Sequence, residues 1–206
     1  LDQVDMLSGA ICGSIHGEQW ADTAREVDFY DLKADVEALL VGQAIEYRAE
    51  AHPALHPGQS AGLYKDGKLI GWMGALHPRV VVDLDLAKTV YVFELNLAAV
   101  QQSQLPSFLS LSKFPEVRRD LAILISESVT AQAIESCVWE ASSEILREVR
   151  VFDIYTGKGV DSGLKSVALG LILQDFSRTL TDQEIDSEFE SVVSALNQNF
   201  AATLRE

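Results

Sequence analysis

The sequence predicts an α+β protein made of two antiparallel-sheet parts. Three observations support this fold class. Residues 1–105 mix short strand and helix patterns, the polar stretch Gln101–Ser112 is interrupted by Pro106, and residues 112–206 give the element order βαββαβ. In that order both helices return to the same side of one four-stranded sheet. The other side of this second sheet is therefore expected to be open.

The elements of the first part are short and separated by clear breaks. They are a buried strand over Leu7–His16, a helix over Phe29–Val41, a short strand over Ala44–Glu50, two strands over Leu63–Lys65 and Lys68–Leu76, a short helix opened by His77-Pro78, and a strand over Thr89–Leu97. Asp28 is a favourable N-cap, and Asp66-Gly67 is typical of a two-residue hairpin turn. Pro53, Pro57 and Gly58 are expected to break the chain between strands.

The second part has the more regular pattern. Its elements are strand Arg118–Ile125, helix Thr130–Ala141, strand Ile145–Tyr155, strand Ser166–Gln174, helix Thr181–Phe200 and a short last strand Ala202–Arg205. Each helix carries one apolar stripe at helical spacing. Thr181 followed by Glu184 is a capping box, which predicts where the second helix begins.

Composition narrows the classes of function. The net charge of −15 argues against indiscriminate nucleic-acid binding, which depends on clustered Lys and Arg. The apolar content of 48% is ample for a core, and no apolar run is long enough to span a bilayer. Cys12 and Cys137 lie far apart and outside any metal-binding spacing, so both are expected to be buried thiols. Because the chain begins at Leu1 with no initiator methionine and no signal sequence, we expect a fragment or a processed piece.

The sequence contains no recognisable catalytic constellation. His52 and His56 are four residues apart, but Pro53 and Pro57 prevent the helix that would align them on a metal. The glycines around Lys158 lack the spacing of a phosphate-binding loop. We therefore expect no catalytic residue, no metal site and no cofactor in this chain.

One strand carries a candidate binding site. Asp153 and Tyr155 are two residues apart and share one face of their strand, and a glycine-punctuated loop with Lys158 follows at once. An aromatic ring and a carboxylate beside a mobile cation form a plausible platform for an unpaired base. An ordinary amphipathic strand with a solvated loop is the alternative, and alternation alone does not decide which face these residues take.

Motifs in both parts resemble one family. In order they are Lys113-Phe114-Pro115, Arg118-Arg119-Asp120, Phe152-Asp153-Ile154-Tyr155, Gly157-Lys158-Gly159, Lys165-Ser166 and Arg178-Thr179-Leu180-Thr181-Asp182, with His56-Pro57-Gly58, Ser60-Ala61 and the segment Gly71–Pro78 in the first part. The chain resembles the C-terminal end of the β subunit of bacterial phenylalanyl-tRNA synthetases. By this resemblance, residues 1–105 are the end of a class II synthetase-like module and residues 112–206 a ferredoxin-like anticodon-binding domain.

The resemblance implies partners and site residues. The first module would lack an active site and pack on the catalytic α subunit of a cytoplasmic α2β2 heterotetramer. The complete enzyme would use ATP and magnesium to attach phenylalanine to its tRNA. At the anticodon, Tyr155 would stack on a base and Asp153 would accept a hydrogen bond from a base edge. Lys158, Lys165 and Ser166 would meet phosphate or ribose.

Other classes of function stay open at this point. A ferredoxin-like small-molecule-sensing or protein-interaction module would need a ligand pocket, and a stand-alone enzyme would need the missing catalytic groups. The arginines of the second part are ambiguous as well. Arg118, Arg119 and Arg178 suit structural pairing with Asp120 or Asp182 at least as well as contact with RNA.

Overall fold

The computed structural model describes residues 3–101, 108 and 111–205. The chain forms two compact units, residues 1–107 and 108–206, and each unit has an apolar core of its own. Most of the predicted linker Gln101–Ser112 lies outside the described residues. Both units combine helices with an antiparallel sheet, which confirms the α+β class. In the described part of the chain, no helix is long and apolar enough to cross a membrane.

The first unit is a five-stranded antiparallel sheet with one long helix. Its strands are β1 Met6–Cys12, β2 Glu46–Ala49, β3 Leu55–Lys65, β4 Lys68–Leu76 and β5 Val90–Asn96, in the order β1-β5-β4-β3-β2; its helices are α1 Phe29–Leu39, α2 Pro78–Asp83 and α3 Leu97–Val100. Leu32 and Val36 of α1 are fully buried and share a core with Leu63, Met73 and Leu95 of the sheet.

Local sequence explains two element ends in this unit. The side chain of Asp28 accepts hydrogen bonds from the backbone N–H groups of Tyr30 (2.8 Å) and Asp31 (3.1 Å), so the predicted N-cap is confirmed. Asp66 and Gly67 have φ values of 50° and 72° and join β3 to β4. Positive φ at both positions is the pattern of a type I′ turn, so the predicted hairpin is confirmed as well.

Three expectations for the first unit are wrong. β1 is shorter than predicted, and its residues alternate between half-buried and exposed because it lies at the edge of the sheet. Cys12 at its end is therefore exposed, whereas Cys137 is buried as predicted. Pro57 and Gly58 do not break the chain but lie within β3. Pairing with β4 is interrupted between Leu55 and Ser60, so the proline is not required to donate a ladder hydrogen bond.

The three His-Pro pairs of the first unit adopt one local arrangement. In each, the imidazole Nδ1 accepts a hydrogen bond from the backbone N–H of the residue after the proline. The pairs are His52 with Ala54 (3.3 Å), His56 with Gly58 (3.0 Å) and His77 with Arg79 (3.1 Å). Proline has no N–H, so this is the first downstream donor that the ring can meet. At His77 the bond caps α2, which confirms the predicted helix start.

The second unit has the predicted βαββαβ order. Its elements are β6 Val117–Ser126, α4 Ala131–Ala141, β7 Leu146–Tyr155, β8 Leu164–Leu173, α5 Asp182–Phe200 and β9 Thr203–Leu204, with strand order β7-β8-β6-β9 and antiparallel pairing throughout. Alternate residues of β6 and β8 are buried together with the apolar stripes of both helices. The helices therefore cover one face of this sheet.

A buried carboxylate ties α5 to the turn before β7. Glu188 is only 7% exposed, and its two oxygens accept hydrogen bonds from the backbone N–H and the hydroxyl of Ser143, both at 2.8 Å. Burying a charged group is tolerated when its oxygens are bonded in this way. The contact fixes the second helix against the strand that carries the candidate site.

The predicted capping box at the start of α5 is confirmed. The Glu184 carboxylate accepts from the Thr181 N–H (2.9 Å), and the Thr181 hydroxyl oxygen accepts from the Glu184 N–H (3.4 Å). Arg178 donates to both oxygens of Glu184 and not to Asp182, the partner suggested by the sequence. The Arg178 and Thr181 hydrogen bonds lower the pKa of Glu184 from 4.5 to about 2.

Replacing Thr181 with Ala should lower the free energy of unfolding by about 0.5–2 kcal/mol, because the first turn of α5 loses its hydroxyl acceptor. Denaturant titration of the chain and the variant measures this difference. Thr179→Ala is the matched control, since Thr179 is exposed and lies just outside the cap. Equal midpoints for the two variants would contradict the role of Thr181 as a cap.

Candidate nucleic-acid interface

The candidate site lies on the face of the second sheet that is opposite the helices, which we call the open face. Residues paired directly across an antiparallel ladder point to the same face. Tyr155 pairs with Ser166 and Asp153 pairs with Ala168, whereas the buried Val167 of β8 points to the helices. Asp153 and Tyr155 therefore lie together on the open face.

A β-bulge at Phe152 produces this arrangement. Val151 and Asp153 pair with consecutive residues of β8, so Phe152 is an additional residue in β7. Two residues then occupy one position of the ladder, and the alternation after the bulge is shifted by one. Phe152, Asp153 and Tyr155 all lie on the open face as a result. In a regular strand Tyr155 would share the face of Val151 and point to the helices.

Tyr155 is held by its neighbours yet remains accessible. Its hydroxyl donates to the Lys158 carbonyl at 3.3 Å, and the Arg205 guanidinium lies 5.4 Å from the ring centroid. A Cβ at Gly157 would lie 2.8 Å from the phenolic oxygen, so glycine lets the loop pass this close to the ring. The residue is nevertheless 39% exposed. The ring is thus positioned before any ligand arrives.

A second cation–aromatic pair lies on the same face. The Arg118 guanidinium is 5.1 Å from the Phe152 ring centroid, and its Nε donates to Asp120 at 2.7 Å. The ion pair passes over Gly170, where a Cβ would lie 3.2 Å from both Arg118 Nε and Asp120 Oδ1. Arg118 is therefore held by Asp120, as the sequence suggested, and also lies against an exposed ring.

The open face is nearly neutral although the chain carries a charge of −15. Among the described residues of the strands and Arg205, its charged side chains are Arg118, Arg150, Arg205, Asp120, Glu148 and Asp153. Arg118 and Arg150 are paired with Asp120 and Glu148, each at 2.7 Å. These three cations balance three anions, so the residues of this face offer little net charge to a phosphate backbone.

Two more of the predicted residues lie close to Tyr155. Ser166 is its cross-strand neighbour and is 5% exposed, so it forms part of the floor of the face. Lys158 is exposed in the loop that follows β7. The carbonyl of the same residue accepts a hydrogen bond from the Tyr155 hydroxyl, so this loop lies against the ring.

Lys165 lies apart from this group, and its predicted contact with phosphate or ribose stays a prediction. It pairs with Ile125 on the helix side of the sheet, since successive residues of a strand point to opposite faces. Its ammonium donates to the carbonyl oxygen of Glu127 at 3.2 Å and to that of Val129. Lys165 thus ties the β6–α4 turn to β8.

Sequence reasoning did not select Arg205 or Phe152 as site residues. Arg205 follows β9, and its N–H donates to the Ala122 carbonyl at 2.8 Å. Ala202 is buried on the helix side, and side chains alternate along a strand. Counting from Ala202 could therefore have indicated that Arg205 lies on the open face. For Phe152 no such signal exists, because the bulge appears only in the pairing with β8.

The described residues provide no evident metal centre. Among residues 3–101, 108 and 111–205, no three His, Cys, Asp or Glu side chains come close enough together to hold an ion. The expectation that no cofactor binds in this chain stays a prediction.

Comparison with known proteins agrees with this architecture. Residues 112–205 match the family model of the ferredoxin-fold anticodon binding domain, and residues 1–97 match that of the phenylalanyl tRNA synthetase beta chain CLM domain. Curated relatives include the phenylalanine–tRNA ligase β subunits of Nitrosococcus oceani (46% identical over 211 residues), Pseudomonas fluorescens (46% over 209) and Xanthomonas campestris (43% over 201). These alignments cover 97–100% of the chain but 25–27% of each relative, so the chain spans about a quarter of their length. With both domains matched in order and identity extending along its whole length, the chain belongs to the family of phenylalanine–tRNA ligase β subunits.

Proposed function

We propose that this chain is the part of a phenylalanine–tRNA ligase β subunit that holds the tRNA anticodon, without a direct part in the chemistry. The observation that carries the proposal is the open face, where an accessible Tyr155 ring and the Asp153 carboxylate lie side by side in a matched anticodon-binding domain. The ligase activity of the relatives supports the substrate, a phenylalanine tRNA.

The face suits an unpaired base. Such a base offers a flat surface for stacking and an edge for hydrogen bonds. Tyr155 provides the ring, and Asp153 lies about 7 Å away along the same strand. A carboxylate only accepts hydrogen bonds, so Asp153 favours a base edge that offers an N–H. Lys158 then lies where it can contact the backbone of the same strand, and Ser166 adds a hydroxyl to the floor.

The charge distribution sets how strongly the face binds. A neutral face on an acidic chain gives little electrostatic attraction for a phosphate backbone. The chain alone should therefore bind tRNA weakly, and the remainder of the enzyme supplies most of the affinity. The face contributes discrimination through the hydrogen bond to Asp153, which depends on the base edge, whereas stacking on Tyr155 accepts any base.

The first unit is proposed as a scaffold. Residues 1–97 match a synthetase β-chain domain, and we propose that they pack against a catalytic α subunit. The cytoplasmic α2β2 heterotetramer is what the resemblance implies. In this proposal ATP and magnesium bind on the α subunit, as the resemblance implies. The chain then contributes to charging only by holding the tRNA and the partner subunit in place.

A double-mutant cycle tests the proposed role of Asp153. In the complete ligase, Asp153→Asn should lower kcat/KM for charging by about 10- to 150-fold, the equivalent of one hydrogen bond to a charged group. Three tRNAs, each with one anticodon base replaced, are assayed with both enzymes. On the tRNA whose replaced base is the one that Asp153 contacts, the Asp153→Asn ligase and the unmodified ligase should have the same kcat/KM.

The control is Asp186→Asn, because Asp186 pairs with Arg119 on the helix side at 3.2 Å. The ligase with Asp186→Asn should charge the unaltered tRNA and the three altered tRNAs as the unmodified enzyme does. Equal penalties of Asp153→Asn on every tRNA, or no penalty on any, would overturn the proposed contact.

A further inference from the structure

We propose that Phe152 is a second base-stacking position, so that the open face holds two nucleotides of an unpaired strand rather than one. This inference rests on the proposed function and adds a residue to it. Neither the family match nor the sequence motifs assign this role to Phe152.

The Phe152 ring has no evident function in the core. It is 48% exposed, and it is not among the apolar side chains that pack against the described core. Val151 and Ile154, on either side of the bulge, point to the helix side. A large ring left half in water forgoes much of the stabilisation that its burial would give. Its exposure is consistent with use on the surface.

The bulge adds this one side chain to the face. Val151 and Asp153 pair with consecutive residues of β8, so a strand without Phe152 would alternate regularly. In that shorter strand Asp153 and Tyr155 would still lie on the open face. The bulge interrupts the ladder locally, and bulges are frequent next to functional sites where they redirect a side chain. The bulge therefore adds one aromatic ring, that of Phe152, to the open face.

The spacing of the rings indicates two nucleotides. Because the bulge gives Phe152 and Asp153 one position of the ladder, Phe152 lies two ladder positions from Tyr155, about 7 Å along the strand. Successive nucleotides of a stacked strand are about 3.4 Å apart, so this separation corresponds to about two nucleotide steps. Asp153 lies beside Phe152 on the same face. A strand that follows β7 would place separate bases on the two rings and a base edge near the carboxylate.

An arginine guanidinium lies near the ring of Phe152 and near that of Tyr155. Arg118 lies 5.1 Å from the Phe152 centroid and Arg205 lies 5.4 Å from the Tyr155 centroid. Guanidinium planes and aromatic rings both stack on bases. A base can therefore be held on the ring while the arginine turns to its phosphate. The repeated arrangement links Phe152 to the residue already proposed to stack.

The test uses Phe152→Leu in the complete ligase. This substitution keeps an apolar residue in the bulge and removes only the aromatic ring. Loss of a stacked base should lower kcat/KM for charging by about 5- to 150-fold, with phenylalanine-dependent pyrophosphate exchange unchanged. Phe176→Leu is the matched control, because Phe176 is also 48% exposed and has Arg147 4.5 Å from its ring centroid. Phe176 lies in the loop after β8, so the ligase with Phe176→Leu should charge tRNA at the normal rate. Phe152→Trp keeps a ring and should restore charging.

A fluorescent adenine analogue placed at each anticodon position locates the bases. Tyr155→Ala and Phe152→Leu should change its fluorescence at two different positions. If Tyr155→Ala impairs charging but Phe152→Leu behaves like Phe176→Leu, this inference is overturned and the proposed function stands. A change at the same position for both variants also overturns it. If neither variant impairs charging, the proposed function falls as well.

Discussion

Replacing Tyr155 with Ala in the complete ligase should lower kcat/KM for tRNA charging by about 5- to 150-fold. The reason is the loss of about 1–3 kcal/mol of stacking between the ring and an anticodon base. Phenylalanine-dependent pyrophosphate exchange, which does not require the anticodon, should stay unchanged. Parallel kinetic measurements of charging and exchange on the same preparation check both statements.

A structural role for Tyr155 predicts a different outcome. Truncating a buried aromatic costs about 3–5 kcal/mol of stability, but Tyr155 is 39% exposed and lies on the open face. The melting temperature of the variant should therefore change little. Tyr155→Phe loses only the hydrogen bond to the Lys158 carbonyl and should keep most of the charging activity. A stable Tyr155→Ala variant with normal charging would remove the residue from the site.

Leu169→Ala should destabilise the second unit by about 2–5 kcal/mol. Leu169 is fully buried on the helix side of β8, between Leu121 of β6 and Val151 of β7. Truncation leaves a cavity that the close-packed sheet and helices cannot fill. For a unit of this size the melting temperature should fall by about 8 °C or more. Differential scanning calorimetry of the chain measures the shift.

The matching variant in the first unit is Leu63→Ala, since Leu63 is also fully buried. Each unit has its own core, so each variant should move one transition and leave the other in place. Below its own melting temperature, a ligase with Leu169→Ala should still charge tRNA, because the open face is intact. Equal shifts of both transitions by either variant would show that the two units unfold as one.

Local signals explain why so much of the second unit could be predicted. The apolar stripes of α4 and α5, the cap at Thr181 and the strand patterns are all properties of neighbouring residues. The predicted element ends consequently fall within two residues of those in the structure. In the first unit the hairpin at Asp66-Gly67 and the cap at Asp28 were predictable for the same reason.

The features that escaped prediction depend on pairing partners. Alternation gives the relative faces of Lys165 and Ser166 but not which of them points to the helices. β3 can contain Pro57 only because β4 leaves that position unpaired. The extra position of Phe152 in β7 is defined by consecutive residues of β8, so no inspection of β7 alone reveals it. The roles of Tyr155 and Asp153 came from the family resemblance and stay predictions.

The three His-Pro pairs of the first unit determine where the imidazole hydrogens lie. A ring nitrogen that accepts a hydrogen bond carries no hydrogen, so neutral His52, His56 and His77 are all Nε2–H tautomers. All four histidines of the chain precede residue 78. The tautomer at each of the three pairs is set by two adjacent residues, because the proline leaves the following N–H as the nearest downstream donor to the ring.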